Sequence, residues 1–211
     1  MDYEHEAKMA VDSMQSYRSD ESGWKVCKKS SDVVVSWRPS SAYPGNVYKG
    51  DGIVNGGLQK VWECLKPISN GLRVKWDSNV KRFELLEQIT EDRSICRTVT
   101  PSAAMGIIAP RDFVDVVVVK QCEDGSISSN ATNVIHSSCP PQSGYVRGFN
   151  HPCGCICVPI SGEPNKTQVF AFFQTDLGGL LPRSVVDSFF PSSMTEFYGN
   201  LAKAVKSLKD F

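Results

Sequence analysis

The sequence predicts an α+β fold in which a curved antiparallel β-sheet wraps around one long C-terminal helix and encloses a hydrophobic tunnel. Three observations carry that prediction. From Leu72 to Asp176 the chain runs through strand after strand, joined by turns as short as Glu123-Asp-Gly125 and Ser161-Gly-Glu-Pro164. Consecutive strands with hairpin-length links pair antiparallel. Second, residues 181–208 form one amphipathic stretch, with Val186, Phe190, Met194, Phe197 and Leu201 on a stripe flanked by Val185, Phe189, Tyr198 and Val205. Third, the 211 residues are 41% hydrophobic and 22% charged, with no internal repeat and no linker-like tract. That composition and length fit one soluble domain over residues 1–211.

The elements follow in order. Ala7, Ala10, Val11, Met14 and Tyr17 recur at helical spacing over residues 3–17, and Gly23 ends that helix. Strands follow at 24–27 and 33–38, then a Tyr43-Pro-Gly-Asn46 turn and a strand at 47–54. Leu58, Val61, Trp62 and Leu65 share a helix face, and Pro67 stops that helix. Further strands are expected at 73–77, 83–89, 94–100, 113–120, 127–136, 145–158 and 167–176. Pro191 lies inside the terminal helix and lacks a backbone donor, so a kink or short break is expected there.

Charge and cysteine usage exclude several functions. Lys plus Arg and Asp plus Glu are each 23, so no net charge draws the chain to nucleic acid. Lys203, Lys206 and Lys209 read as the solvated, dipole-favoured end of the terminal helix. The N-terminus is acidic and lacks the basic and apolar regions of a signal peptide. No stretch reaches the roughly 18–20 apolar residues of a membrane span. A cytoplasmic protein with mostly reduced thiols is expected, so Asn130-Ala-Thr132 and Asn165-Lys-Thr167 read as chance glycosylation triplets. None of the three histidines lies in a nucleophile motif, so no catalytic residues are assigned and no enzyme is expected. His151, Cys153, Cys155 and Cys157 alternate along one strand face. Same-face neighbours stand roughly 6.5–7 Å apart, too far to converge on zinc, so no metal and no cofactor are expected.

The segment from Thr100 to Lys120 is the most informative. A loop of small residues carrying Met105, Ile107 and Ile108 leads into a strand with four consecutive valines. Apolar residues on a loop usually cover something. Polar residues also sit on strand faces expected to turn inward: Thr100 with Cys96 and Thr98, Ser129 with Ile127 and Ala131, Asp115 with Val117 and Val119, and Arg73 heading its strand. Buried, such groups need partners. Either they pair with each other and with water, or they receive the polar end of an elongated apolar ligand.

Six segments in the same order resemble the START (StAR-related lipid transfer) domain family: Gly71-Leu-Arg-Val-Lys-Trp-Asp77, Ala109-Pro-Arg-Asp-Phe113, Ser128-Ser-Asn-Ala-Thr132, Val146-Arg-Gly-Phe149, Phe172-Phe-Gln-Thr-Asp-Leu177 and Leu181-Pro-Arg-Ser184. The resemblance implies a helix-grip fold, a single START lipid-binding domain and an intracellular carrier. Its implied ligand is one sterol, oxysterol or bile acid, and the carrier would be a monomer in transient contact with membrane surfaces. Arg73, Thr100 and Ser129 would be polar contacts. Met105, Ile107 and Ile108 would form a lid with the terminal helix, which contributes Val186, Phe190 and Phe197. The steroidogenic members look to place an arginine where this chain has Val117, so their carboxylate–arginine pair is not reproduced. Phospholipid or ceramide carriers of the same fold would need an aromatic cage or further polar groups for a headgroup. Trp76 reads instead as core.

Overall fold

A computed structural model describes residues 1–209; the last two residues of the expected 1–211 domain lie outside it. The elements run α1 (Tyr3–Ser19), β1 (Lys25–Lys29), β2 (Val34–Pro39), β3 (Asn46–Val54), α2 (Leu58–Leu65), α3 (Arg73–Trp76), β4 (Arg82–Gln88), β5 (Arg93–Val99), β6 (Arg111–Gln121), β7 (Ile127–Asn133), β8 (Val146–Arg147), β9 (Phe149–Asn150), β10 (Cys153–Ile160), β11 (Glu163–Phe173), β12 (Thr175–Asp176) and α4 (Arg183–Ser207). The main sheet has the order β1-β2-β3-β11-β10-β7-β6-β5-β4, with β8 added parallel to β6. All the other pairs in it are antiparallel. β9 and β12 form a separate antiparallel pair. The late β10–β11 hairpin thus joins the two arms, β1–β3 and β4–β7, into one continuous surface.

Both faces of that sheet are covered at β6, which explains its run of valines. Val114 and Val116 pack outward with Ile95 and Ala7 of α1. Residues of the opposite parity turn inward, where Val119 meets the core built around α4. A half-buried antiparallel strand would alternate apolar with polar; a strand covered on both sides reads as a continuous apolar run. α4 presents Phe190, Met194, Phe197, Tyr198, Leu201 and Val205 to the inner core, matching the predicted stripe. Its close approach depends on Gly50 of β3, where a Cβ would lie 2.6 Å from the Tyr198 ring and 2.9 Å from Met194 Sδ. Tyr198 also donates its hydroxyl hydrogen to the Val169 carbonyl of β11.

Three expectations are corrected. Residues 73–77 form no strand: Arg73–Trp76 is a single helical turn, with the Asp77 N–H returning to the Arg73 carbonyl at 2.9 Å. An Arg73–Asp77 ion pair at i,i+4 and a Trp76 Nε1 hydrogen bond to the Cys64 carbonyl at 2.9 Å favour that turn. The expected strand 145–158 breaks into β8, β9 and β10. Gly148 passes so close to the Phe113 ring that a Cβ would lie 2.3 Å from it, and Pro152 has no donor for a ladder. Finally, of the kink or short break expected at Pro191, the break does not occur: α4 runs as one helix through it. The proline forgoes only the bond that would end on the carbonyl of Asp187, an exposed residue near the start of the helix.

Candidate functional site

Between the inner sheet face, α3, the 100–108 loop and α4 lies a cavity of about 660 Å³. That is the size of a one-ligand pocket, commonly about 300–1,000 Å³. Arg73, Thr100, Ile108, Asp115, Val117, Ser129 and Phe190 of the predicted residues line it. Three others do not. Met105 stands fully exposed at the tip of its loop, because left-handed backbone at Ala104 (φ 52°) and Met105 (φ 57°) turns it away from the cavity. Of that apolar triplet only Ile108 is buried. Val186 faces a smaller cleft of about 230 Å³ beside Tyr43 and Tyr48. Phe197 is covered by Trp76 and Phe173, with ring centroids at 5.4 and 5.7 Å, and so stands behind the wall.

Arg73 is anchored at its Nε, which donates to Asp77 Oδ2 at 2.7 Å. The Asp77 side chain is only 1% exposed, whereas Arg73 keeps 30%, an exposure directed at the cavity it lines. The guanidinium also lies over the rings of Phe197 (5.2 Å) and Trp76 (5.8 Å). Burial opposes its charge, but the Asp77 carboxylate prevails and holds Arg73 above its ordinary range. Among the described residues Asp77 is its only hydrogen-bonding partner, which leaves the terminal guanidinium nitrogens as donors for a ligand.

Asp115 is the second polar focus. Its Oδ2 accepts from Asn150 Nδ2 at 2.8 Å, while Oδ1 is buried without a hydrogen-bond partner. Burial pushes this carboxyl up to about 7, against the Asn150 hydrogen bond and the charge of Arg147. Asn150 is set in turn by Thr175, whose Oγ1 lies 2.7 Å from Asn150 Oδ1. Sequence patterns missed Asn150 and Thr175, since each sits on a two-residue strand with no periodicity to find. Cys153 and Cys155 line the same wall. Burial pushes the Cys155 thiol up to about 11 and the Cys153 thiol well above its ordinary value, so both present neutral sulfur. His151 stacks on Tyr43 at 4.5 Å, and no three His, Cys, Asp or Glu side chains among the described residues cluster to hold a metal.

The cavity mouth is strapped by Arg111. Its Nε, Nη1 and Nη2 donate to the carbonyls of Leu177 (2.9 Å), Ala109 (2.6 Å) and Gly178 (3.0 Å), joining the loop before β6 to the loop before α4. Next to it Asp112 takes Arg97 Nε at 2.9 Å and Arg147 Nε at 2.8 Å on the outer face. Arg111, which itself lines the cavity, and Asp112 thus have their polar atoms committed to the frame of the mouth.

An apolar chamber gripped between an antiparallel sheet and a terminal helix, with two anchored arginines in its wall, defines a class. Residues 5–210 match the START domain, and the chain belongs to that family. It is 58% identical to human StAR-related lipid transfer protein 5 over 204 residues, which is 97% of this chain and 96% of that protein. It is 34% identical to human StAR-related lipid transfer protein 6, covering 98% and 93%. The solved structure of human StAR-related lipid transfer protein 5 superposes with a TM-score of 0.92, covering 95% of this chain and 94% of that one.

Proposed function

We propose that this protein is a cytoplasmic, non-enzymatic carrier holding one sterol or bile-acid-like molecule in the 660 Å³ cavity. The observation that carries this reading is Arg73, an anchored cation with free donors in a predominantly apolar wall. A steroid hides a few hundred Å² of apolar surface, on the order of 10 kcal/mol gross at about 25 cal/mol per Å², before association costs. A neutral hydrogen bond in the cavity, as to Thr100 or Ser129, adds about 0.5–1.5 kcal/mol, and a ligand carboxylate on Arg73 about 1.5–3 kcal/mol; these set orientation and selectivity. Burial drives binding, and polar groups choose the ligand. Met105, Ile107 and Leu180 stand exposed on the two loops at the mouth, where they suit transient contact with a membrane surface by a monomeric carrier. Exchange then requires these loops and the start of α4 to part, a gating step without chemistry.

The test is native mass spectrometry after incubation with liposomes containing cholesterol, an oxysterol and phosphatidylcholine, together with a free bile acid. One steroid adduct per chain supports the reading and names the ligand. A phospholipid adduct replaces the ligand class with that of phospholipid carriers. Absence of any adduct overturns the carrier reading and directs effort to assays for turnover.

A further inference from the structure

One carboxylate in the cavity wall has neither an ion-pair partner nor a donor for one of its buried oxygens. Asp115 is 5% exposed and lines the cavity, and its Oδ1 meets no donor. Arg147, the cation whose charge acts on it, is committed elsewhere: Nε and Nη2 bind Asp112 at 2.8 and 3.1 Å. The other acidic and basic groups around the chamber are matched. Arg73 pairs with Asp77, Lys66 with Glu63, Glu196 accepts from Ser78, and Arg111 is spent on carbonyls. The groups facing Asp115 from neighbouring elements are uncharged at neutral pH. β5 presents Cys96 and β10 presents Cys153, both thiols raised by burial; β7 presents Asn133 and β9 Asn150.

We propose that ligand loading is coupled to a proton: as the ligand replaces water in the cavity, the Asp115 carboxylate takes one proton from solvent onto Oδ1, and gives it back when the ligand leaves. This rests on the lipid-carrier reading and adds a regulation to it. The physical reason is desolvation. Asp115 lines the cavity, so a hydrocarbon ligand there lowers the polarity of the medium beside an already buried carboxylate, and burial disfavours the charged form. The free carboxyl already stands at about 7, so loading moves it further into its protonated state near physiological pH. A carboxylate-bearing ligand adds repulsion of the same sign. Both classes therefore bind more tightly as pH falls, because the complex holds more protons than the free protein.

If loading makes the carboxyl about tenfold weaker as an acid, binding is about fivefold weaker at pH 8 than at pH 6. The test titrates dehydroergosterol, a fluorescent sterol with no ionisable group in this range, at pH 6, 7 and 8, with cholate in parallel. Wild type should lose about fivefold in affinity across that span, and Asp115→Asn should show a flat profile. A flat wild-type profile overturns the proposal, as does a slope that persists in Asp115→Asn. Should the variant not fold, carbon-13 titration of the Asp115 carboxyl in wild type decides: a raised midpoint on loading supports the coupling, and an unmoved one refutes it. Failure of both probes to bind at every pH is a different result, which removes the carrier reading and the coupling with it.

Discussion

Replacing Arg73 by Leu separates ligand recognition from folding. The substitution deletes the cation of the cavity wall and strands the Asp77 carboxylate, which is 1% exposed and keeps only the Asn79 N–H at 3.0 Å on its other oxygen. Breaking a buried pair from one side costs about 3–5 kcal/mol. Because Arg73 retains 30% exposure, its loss should cost less, about 1–3 kcal/mol. The effect on a carboxylate ligand is a lost charged hydrogen bond of about 1.5–3 kcal/mol, or about 10- to 150-fold in Kd. A ligand offering only a hydroxyl should lose about 2- to 10-fold. The double variant Arg73→Leu/Asp77→Asn removes the stranded charge, so it should recover stability without recovering affinity. Thermal unfolding reads the first quantity. Cholate titration followed by the fluorescence of Trp76, beside Arg73, reads the second. A double variant that folds and binds cholate as tightly as wild type would refute the role given to Arg73.

Gly50→Ala should destabilise by about 1–3 kcal/mol, because its Cβ would press on the Tyr198 ring and Met194; an unchanged Tm contradicts the packing argument. Burial raises the Asp112 carboxyl, but hydrogen bonds from Arg147 and Arg97 outweigh it and hold the group below its usual range. The unfolded chain therefore binds more protons in acid. Stability from this group is complete above the unfolded value of about 4 and is lost as pH falls through the folded one. Urea midpoints from pH 5 to pH 3 should fall in wild type, and Asp112→Asn should lack this contribution. Met105→Asp, at an exposed tip, should leave stability within about 0.5 kcal/mol and slow ligand uptake from vesicles without lowering final occupancy; equal uptake rates would remove Met105 from the membrane contact.

The parts of the fold written in long periods were legible. Alternation along β6 separates Val114 and Val116, packed outward, from Asp115 and Val117 at the cavity, and the stripe of α4 names its buried face. Short segments were not. Over Arg73-Val-Lys-Trp, strand alternation and a single helical turn look the same, and an Asp77 ion pair absent from any periodicity decides between them. Asn150 and Thr175 reach the cavity because β9 and β12 pair in three dimensions. The α4 stripe marks Phe190 and Phe197 alike as buried; that Trp76 covers one and leaves the other at the wall depends on α3, whose position no local pattern encodes. For Met105, apolar character signalled a role at the mouth, while its outward direction came from left-handed backbone.

The strap at Arg111 has a consequence for how ligand preference can change. Its three bonds from Nε, Nη1 and Nη2 all end on main-chain oxygens, at Leu177, Ala109 and Gly178. It takes no side chain from the rim it fastens. The rim's composition is thereby uncoupled from its closure: Ser102, Ala103, Met105 and Leu180 can be exchanged without removing an atom that Arg111 holds. A library randomised at those four positions inherits its loop anchorage intact, so selection on it acts on ligand and membrane preference with the frame held constant.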